Sequence, residues 1–255
     1  MTQVSQVGWG MPTMPGHVFR GQSDSEWALE PGLARSLRGV TQRAAALQLE
    51  QRLEREFFAQ AHLVSHPGDL LTVQSNNWFD RLALMQHHGV PTRLLDWTTS
   101  PMVAAYFACV DNLANDGAIF VASAVRINQR FMERVTAMGD LGEQVFQIAS
   151  NENMVQLFMP ERRSERVVTQ QGHFSAGTDL LSSHDEYLCS CLRPGVGPSG
   201  PAVIAAKWTV PADLKLRFLG HLRQMNVAGH SLFPGLDGLG KSLREAVLVE
   251  RTMML

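Results

Sequence analysis

The chain has 255 residues, of which 45% are hydrophobic and 18% are charged, and its formal net charge at pH 7 is −2. These values are typical of a globular protein that buries a core, and they exclude an intrinsically disordered chain. The small net charge gives no overall attraction to nucleic acid or to an anionic membrane, so only a local basic groove could supply one.

Neither a membrane span nor an export signal is visible in the sequence. There is no run of 18 apolar residues, so no membrane partner is expected. Residues 1–16 are polar and rich in Gly and Pro, which predicts a flexible lead-in and a cytoplasmic protein. Cys109, Cys189 and Cys191 lack framework spacing and are expected to be reduced thiols. The last two have no CxxC partner pair, so we expect no metal site.

The first half of the chain shows one strand pattern and three helix patterns. Residues 17–21 predict a short strand that ends at Gly21. Apolar residues recur every three to four positions in 41–64 and again in 77–88, which predicts two helices with one apolar face each. Ser100-Pro101 begins a third helix, because serine can cap free N–H groups and proline is tolerated at the first helical position.

The second half mixes strands and helices without a regular βαβ rhythm. An apolar run after the turn-like Asn115-Asp116-Gly117 predicts a strand over 118–125. The later patterns predict mixed helical segments over 130–158, a short strand at Val167-Val168, a loop over 193–201, a buried strand over 202–210, and helices over 211–225 and 236–247. Together they predict an α+β fold with a mixed sheet, in one domain over 17–255.

The segment from Gln86 to Ser100, QHHGVPTRLLDWTTS, is the densest in polar groups. Burying such groups without partners is costly, so a connection of this kind usually lines a site. A structural interpretation stays open, since Arg93 and Asp96 can form an ion pair. Ser100 can cap its helix as readily as it can contact a ligand.

Two shorter clusters also carry polar groups suited to a ligand. In Phe19-Arg20-Gly21-Gln22-Ser23, an arginine ends a strand, and guanidinium matches phosphate with two parallel hydrogen bonds. The glycine would let an anionic ligand approach the backbone, although most Arg-Gly pairs are only turns. In the segment 166–174, Gln170 and Gln171 can each donate and accept, which suits a ribose or an amide. An exposed turn is the alternative there.

Four blocks in order resemble an FRG domain, a family named for the Phe-Arg-Gly found here at 19–21. They are FRGQSDSEWALEPGLAR at 19–35, QHHGVPTRLLDWTTSPMVAAYFA at 86–108, the RxxxQxGxF pattern at 166–174 and LFPGLDGL at 232–239. The second block is long and specific, and the resemblance covers roughly residues 17–245.

The resemblance implies an ADP-ribosyltransferase-like fold, a split mixed β-sheet surrounded by helices, with NAD+ as the substrate. Arg20 would match the arginine of the first strand that grips NAD+, with Phe19, Gly21 and Gln22 beside it. Thr98, Thr99 and Ser100 would match a stretch of hydroxyl groups at the start of the second core strand or of the helix that follows it. Gln170 or Gln171 would lie where the well-known enzymes carry a catalytic glutamate, yet no ExE or QxE motif is present.

These assignments imply a simple mechanism. The bond between nicotinamide and ribose weakens as positive charge develops on the ribose, and a nearby negative group stabilises that state. Asp96 is a candidate for this group, with anchoring of Arg93 as its competing role, and Glu161 and Glu165 lie just before the shared pattern. Arg20 and Arg93 could hold the pyrophosphate, and His87 or His88 could bond a ribose hydroxyl. The expected catalytic set is Arg20, Asp96 and Gln170.

Three functions compete. The first is an NAD+-consuming transferase that modifies a macromolecule, RNA slightly before protein, as a toxin in phage defence or a toxin-antitoxin system with a neutralising antitoxin. The second is a module that binds NAD+ or a nucleotide without turnover, and the third is a metal-dependent hydrolase that uses the His/Asp block. The third is the weakest, because no HExxH or comparable spacing occurs. Arg35, Arg38 and Arg43 are candidates for a basic groove.

Overall fold

The computed structural model describes residues 16–64, 69–139, 142–191 and 205–254. The predicted lead-in, apart from Gly16, and the predicted loop over 193–201 lie outside these ranges. The described strands are β1 His17–Gln22, β2 Leu94–Thr98, β3 Gly117–Ser123, β4 Val155–Phe158, β5 Gly172–Gly177 and β6 Ala205–Val210. They form one sheet in the order β4-β5-β2-β1-β3-β6.

Every described pair of neighbouring strands is antiparallel. The α+β class is therefore confirmed, whereas the prediction of a mixed sheet is wrong for the described strands. Apolar runs separated by helical segments do not reveal the direction in which a strand returns, and direction alone separates a mixed sheet from an antiparallel one.

The sheet is weakly joined between β1 and β2. These two strands share the single pair Phe19↔Thr98, whereas β1 and β3 pair over the whole range His17–Gln22 and β2 and β5 pair over the whole range Leu94–Thr98. The sheet therefore consists of two halves, β4-β5-β2 and β1-β3-β6, that meet at a narrow contact. We call the gap beside this contact the seam.

Helices cover both faces of the sheet. They are α1 Gly32–Ser36, α2 Arg43–Val64, α3 Leu70–Val73, α4 Trp78–His87, α5 Pro101–Cys109, α6 Ala124–Ala137, α7 Glu165–Thr169, α8 Asp185–Ser190, α9 Lys215–Gln224, α10 Gly229–Leu232 and α11 Gly235–Met254, with 3-10 turns at Gly142–Gln147 and Ala212–Leu214. One apolar core joins α4 and α6 to the sheet, and a second joins α5 and α9 to it. None of the described helices is long and apolar enough to cross a membrane.

Several helix starts follow from side-chain caps. The Ser100 side chain accepts a hydrogen bond from the backbone N of Val103, which confirms the predicted start of α5. The Val167-Val168 strand is wrong, because these residues lie inside α7, where Ser164 caps the helix by accepting from the N of Val167. A local cap thus outweighs the strand preference of two β-branched residues.

Two predicted elements exist but differ in burial. The strand predicted over 202–210 is β6 from Ala205 onward, and it is an edge strand with Lys207 exposed. The predicted last helix is α11, yet its apolar stripe faces solvent, with exposed fractions of 84%, 49%, 60% and 66% for Leu236, Leu239, Leu243 and Val247. The buried side of α11 instead carries small and polar groups such as Ser242 and Glu245.

Candidate functional site

A cleft opens at the seam between β1 and β2. It has a volume of about 180 Å³, and we call it the seam cleft. Its lining comes from β1, β2, α5, α7 and the turn before β5: Phe19, Arg20, Gly21, Asp96, Trp97, Thr98, Val103, Phe107, Arg166 and Gln170. The cleft exists because the two strands pair at one position only, so the sheet cannot close there.

Arg20 holds the two halves of the sheet together across this cleft. Its Nη1 donates a 2.7 Å hydrogen bond to the main-chain oxygen of Asp96, while its buried Nε has no partner among the described residues. Burial lowers the pKa of Arg20, and the carboxylate of Asp96 opposes this shift. A guanidinium group has five N–H donors in a planar fork, and the hydrogen bond to Asp96 uses one of the four on Nη1 and Nη2, so these two atoms keep donors for an anion.

Gly21 has a packing role that the sequence did not suggest. A Cβ atom at this position would lie 1.9 Å from the main-chain oxygen of Ala104 in α5. The glycine therefore lets the helix approach β1 closely, which differs from the predicted approach of an anionic ligand to the backbone. Gly21 still lines the cleft beside Arg20.

The turn before β5 is tied to the end of β2. Thr98 Oγ1 donates to the main-chain oxygen of Gln170 at 2.7 Å, and the N of Thr99 donates to the oxygen of Gln171 at 3.2 Å. The Gln170 side chain donates in turn to the oxygen of Leu232 at 3.1 Å. Three segments far apart in sequence thus meet at the seam cleft.

A smaller side cavity of about 110 Å³ continues along β2 towards α4. It shares Asp96, Trp97, Arg166 and Gln170 with the seam cleft and adds His87 and His173. Burial lowers the pKa of both histidines, so they are neutral near pH 7 and able to accept a proton or bond a hydroxyl. His88, the neighbour of His87, is exposed and lies 3.3 Å from Asp69.

Asp96 is the one carboxylate among the described residues that line the seam cleft and the side cavity. Glu161 and Glu165 are both exposed, and neither lines these cavities. In the described part of the chain, no three His, Cys, Asp or Glu side chains come together as a metal site would require. The structure therefore leaves Asp96 as the candidate for a negative group at the cleft.

Arg93 does not reach the cleft. Its side chain is buried and bonds Glu50 of α2, with Nε 2.8 Å from Glu50 Oε1, and its Nη1 donates to the oxygen of Gly177 at 3.3 Å. The interpretation that pairs Arg93 with Asp96, and the one that gives it a pyrophosphate, are therefore wrong. Adjacent strand residues point to opposite faces, but Arg93 precedes β2, and its direction could not be inferred from spacing.

Four other expected site residues lie outside the lining of both cavities. Ser100 caps α5, and Thr99 bonds the side chain of Gln171 at 3.2 Å. Gln171 is exposed and has a positive φ of 49°, so it forms the left-handed bend of this turn. Gln22 is buried and donates to the oxygen of Ala28 at 3.2 Å. These side chains hold turns in place.

The three arginines expected to form a basic groove all have partners. Arg38 pairs with Glu30 at 2.5 Å, and Arg43 pairs with Asp179 at 2.9 Å. Arg35 donates to the main-chain oxygen of Glu30 at 2.6 Å.

Sequence reasoning missed three contributors to the site, which are Arg166, His173 and Phe233. Arg166 lines both cavities and lies over the ring of Phe233, 5.2 Å from its centroid, while His173 joins His87 in the side cavity. All three fall in the RxxxQxGxF and LFPGLDGL blocks, so the signal was present. Their proximity across more than 60 residues of sequence is a tertiary contact, which a linear pattern does not reveal.

A buried chain of hydrogen bonds holds the side chain of Trp97 in place. The indole Nε1 of Trp97 donates to Ser175 Oγ at 2.8 Å, and Ser175 Oγ lies 2.9 Å from Nδ1 of the fully buried His184. Burial, with the positive charges of Arg20 and Arg93, lowers the pKa of His184 to about 3. A neutral imidazole therefore fixes Ser175, and Ser175 fixes the tryptophan over the neighbouring strand β5.

Comparison with known proteins bears on the first part of the chain. No curated protein and no solved structure matches the chain. The segment 16–117 contains β1 with Arg20 and β2 with Asp96, and it covers less than half of the chain. Residues 16–117 match the family model of the FRG domain, which supports the family resemblance seen in the sequence.

Proposed function

We propose that the chain is an NAD+-dependent ADP-ribosyltransferase that modifies a macromolecule and that its reaction centre is the seam cleft. One observation carries the proposal. Arg20 of β1, Asp96 and Thr98 of β2, and Gln170 before β5 converge on one cleft, although they are spread over 150 residues of sequence. These are the segments from which the FRG resemblance draws its NAD+ contacts.

The proposed binding mode follows from the donors in the cleft. The guanidinium of Arg20, already oriented by the oxygen of Asp96, would bond the pyrophosphate of NAD+. Phe19 and Trp97 supply apolar walls for a ring, and the amide of Gln170 offers a polar contact for a ribose hydroxyl. Arg166 adds a second positive charge that faces both cavities.

The proposed reaction breaks the bond between the ribose anomeric carbon and the nicotinamide nitrogen. The bonding electrons go to the pyridinium ring, which leaves as neutral nicotinamide, and a lone pair of the acceptor forms the new bond at the same carbon. The acceptor proton passes to the Asp96 carboxylate and then to solvent. The same carboxylate stabilises the positive charge that develops on the ribose before the acceptor bonds.

A second candidate function is NAD+ binding without turnover. It is favoured by the glutamines that occupy the turn before β5, since an amide cannot act as a carboxylate base. Asp96 lies on the neighbouring strand β2 and would have to supply this charge from there. Binding without release of nicotinamide would identify this alternative.

The test uses the purified chain with NAD+ labelled in the adenylate part and a whole-cell lysate. The transferase predicts label in macromolecular material, removed by nuclease if the acceptor is nucleic acid and by protease if it is protein. A matched reaction with Asp96→Asn should leave the lysate unlabelled. Unlabelled macromolecules with the parent chain, together with calorimetric NAD+ binding, would replace the transferase with the binding module.

A further inference from the structure

A second cavity lies on the other side of Trp97. It has a volume of about 300 Å³, and we call it the tryptophan pocket. Its floor is formed by Trp97, Phe120 and Leu188, and its rim carries Trp27, Lys207 and Asp185. Trp97 lines this pocket and also the seam cleft, so the two cavities are neighbours at this residue.

The register of the strands explains this adjacency. Arg20 pairs with Phe120, and Phe120 pairs with Lys207 across β1, β3 and β6. Side chains of directly paired residues share a face, and neighbouring strands lie about 5 Å apart. The sheet therefore sets Arg20, an aromatic ring and a lysine in one row, with the ammonium of Lys207 5.6 Å from the centroid of the Phe120 ring.

The chemistry of the pocket selects its ligand. Trp27 is 53% exposed, an unusual position for the largest apolar side chain, and it stands at the rim of an apolar cavity. A flat, exposed indole above an aromatic floor matches a nucleobase, since every base has a π-face that stacks on aromatic rings. Lys207 at the rim suits the phosphate that follows the base, because it can use the donors that its bond to the oxygen of Ser25 leaves free.

Two carboxylates of the tryptophan pocket favour a base that carries an amino group. Asp185 and Glu26 both line the pocket, and Asp185 Oδ2 accepts from the N of Leu29 at 2.6 Å. Carboxylates accept hydrogen bonds from the exocyclic amino group of a base such as cytosine. Uracil and thymine lack this group, so the pocket should distinguish them from cytosine.

We propose that the tryptophan pocket holds an unpaired base of a single-stranded nucleic acid, with preference for a base that carries an amino group. The inference rests on the proposed function, because a base held in this pocket would anchor its strand beside the NAD+ cleft, where a neighbouring nucleotide would be the acceptor. Binding depends mainly on stacking, since the net charge of −2 gives no general attraction to phosphate.

The test measures binding of fluorescein-labelled cytidine and uridine decamers by fluorescence anisotropy. The parent chain should bind the cytidine decamer more tightly, and Trp27→Ala should weaken that binding by about tenfold. Trp27→Phe is the matched control and should restore most of the affinity. With one phosphate contact, the logarithm of the binding constant should fall with the logarithm of salt with a slope of only about −0.7.

Nicotinamide release with water as the acceptor, in the absence of nucleic acid or protein acceptors, separates this inference from the proposed function. Trp27 does not line the seam cleft, so Trp27→Ala should release nicotinamide as fast as the parent chain. Equal decamer binding by Trp27→Ala and the parent overturns the base pocket, whatever the release rate. The same holds if the parent binds no decamer and labels only protease-sensitive material. Decamer binding that depends on Trp27, without nicotinamide release, would support the base pocket and contradict the proposed transferase function.

Discussion

The guanidinium of Arg93 and the carboxylate of Glu50 form an ion pair in the interior, with Nε 2.8 Å from Oε1 and with exposed side-chain fractions of 1% and 4%. The pair joins α2 to the start of β2, and the guanidinium carbon also lies 5.1 Å from the ring centroid of Trp78. It therefore holds the strand that carries Asp96, although neither partner touches the cleft.

This pairing predicts a large cost for removing one partner. Arg93→Met leaves a buried carboxylate without its counter-ion, and the free energy of unfolding should fall by about 3–5 kcal/mol. The double variant Arg93→Met with Glu50→Leu should recover much of this loss, because no uncompensated charge stays behind. Urea unfolding of the single and double variants measures the coupling. If the two single losses simply add, the pair is not the unit described.

Gln170 and Gln171 give a pair of matched variants at the turn before β5. The side chain of Gln170 lines both cavities, whereas Gln171 is exposed. Gln170→Ala should lower the transfer rate at least tenfold while NAD+ binding changes by less than about twofold, because an orienting contact acts mainly in the transition state. Gln171→Ala should retain the parent rate. Equal rates for both variants would remove Gln170 from the site.

The buried His184 predicts a pH dependence of stability. The unfolded chain binds this proton near pH 6.5, whereas the folded chain binds it near pH 3. The stabilisation that neutral His184 gives to the folded state is therefore fully present above about pH 6.5. As the pH falls from there towards 3, the free energy of unfolding decreases by up to about 1.4 kcal/mol per pH unit. His87 and His173, whose pKa values are also lowered, act in the same direction.

Denaturant unfolding between pH 7 and pH 4 tests this dependence. The free energy of unfolding of His184→Gln should decrease less steeply with falling pH than that of the parent chain. The difference in slope should correspond to at most one proton taken up on unfolding, whatever the absolute stability of the variant. The matched variant His62→Gln, at an exposed position of α2, should decline as the parent does. Parallel curves for the parent and His184→Gln would show that the folded state protonates this histidine as readily as the unfolded state does.

Leucines on α9 and α11 should respond in opposite ways to the same substitution. Leu219 of α9 is fully buried, so Leu219→Ala should cost about 2–5 kcal/mol of unfolding free energy. Leu243 of α11 is 60% exposed, so Leu243→Ala should change the value by less than about 0.5 kcal/mol. Thermal or urea unfolding compares the two. A loss above 2 kcal/mol for Leu243→Ala would mean that the stripe is buried in solution.

The same helix shows where sequence reasoning succeeds and where it ends. Its periodicity correctly predicts the element, because apolar spacing of three to four residues reports a helix wherever that helix lies. The spacing does not report which face is covered. In α11 the covered face is held by Glu245, which accepts from Tyr106 Oη at 2.6 Å, so a polar pair occupies the position expected for an apolar stripe. Tertiary context decides this choice.

The residues of the candidate site, too, could be predicted only in part from the sequence. Arg20, Asp96, Thr98 and Gln170 could be selected from the sequence, and all four line the seam cleft. Arg93 was assigned wrongly because its partner Glu50 lies 43 residues earlier, on a helix whose pattern showed only an apolar face. Arg166 and His184 could not be given roles, because their contacts depend on how β2 and β5 pair.

Nicotinamide release from NAD+ by the purified chain, with water as the acceptor of ADP-ribose, tests the central claim most directly, with Arg20→Ala, Asp96→Asn and Arg38→Ala as variants. The parent chain and Arg38→Ala should release nicotinamide at similar rates, since Arg38 is exposed and pairs with Glu30 outside the cleft. Asp96→Asn should retain NAD+ binding and lose about 100-fold in rate. Arg20→Ala should lose about 1.5–3 kcal/mol of binding free energy. Release by the parent chain that persists unchanged in Asp96→Asn and Arg20→Ala, or no release above background, would contradict a reaction centre at the seam.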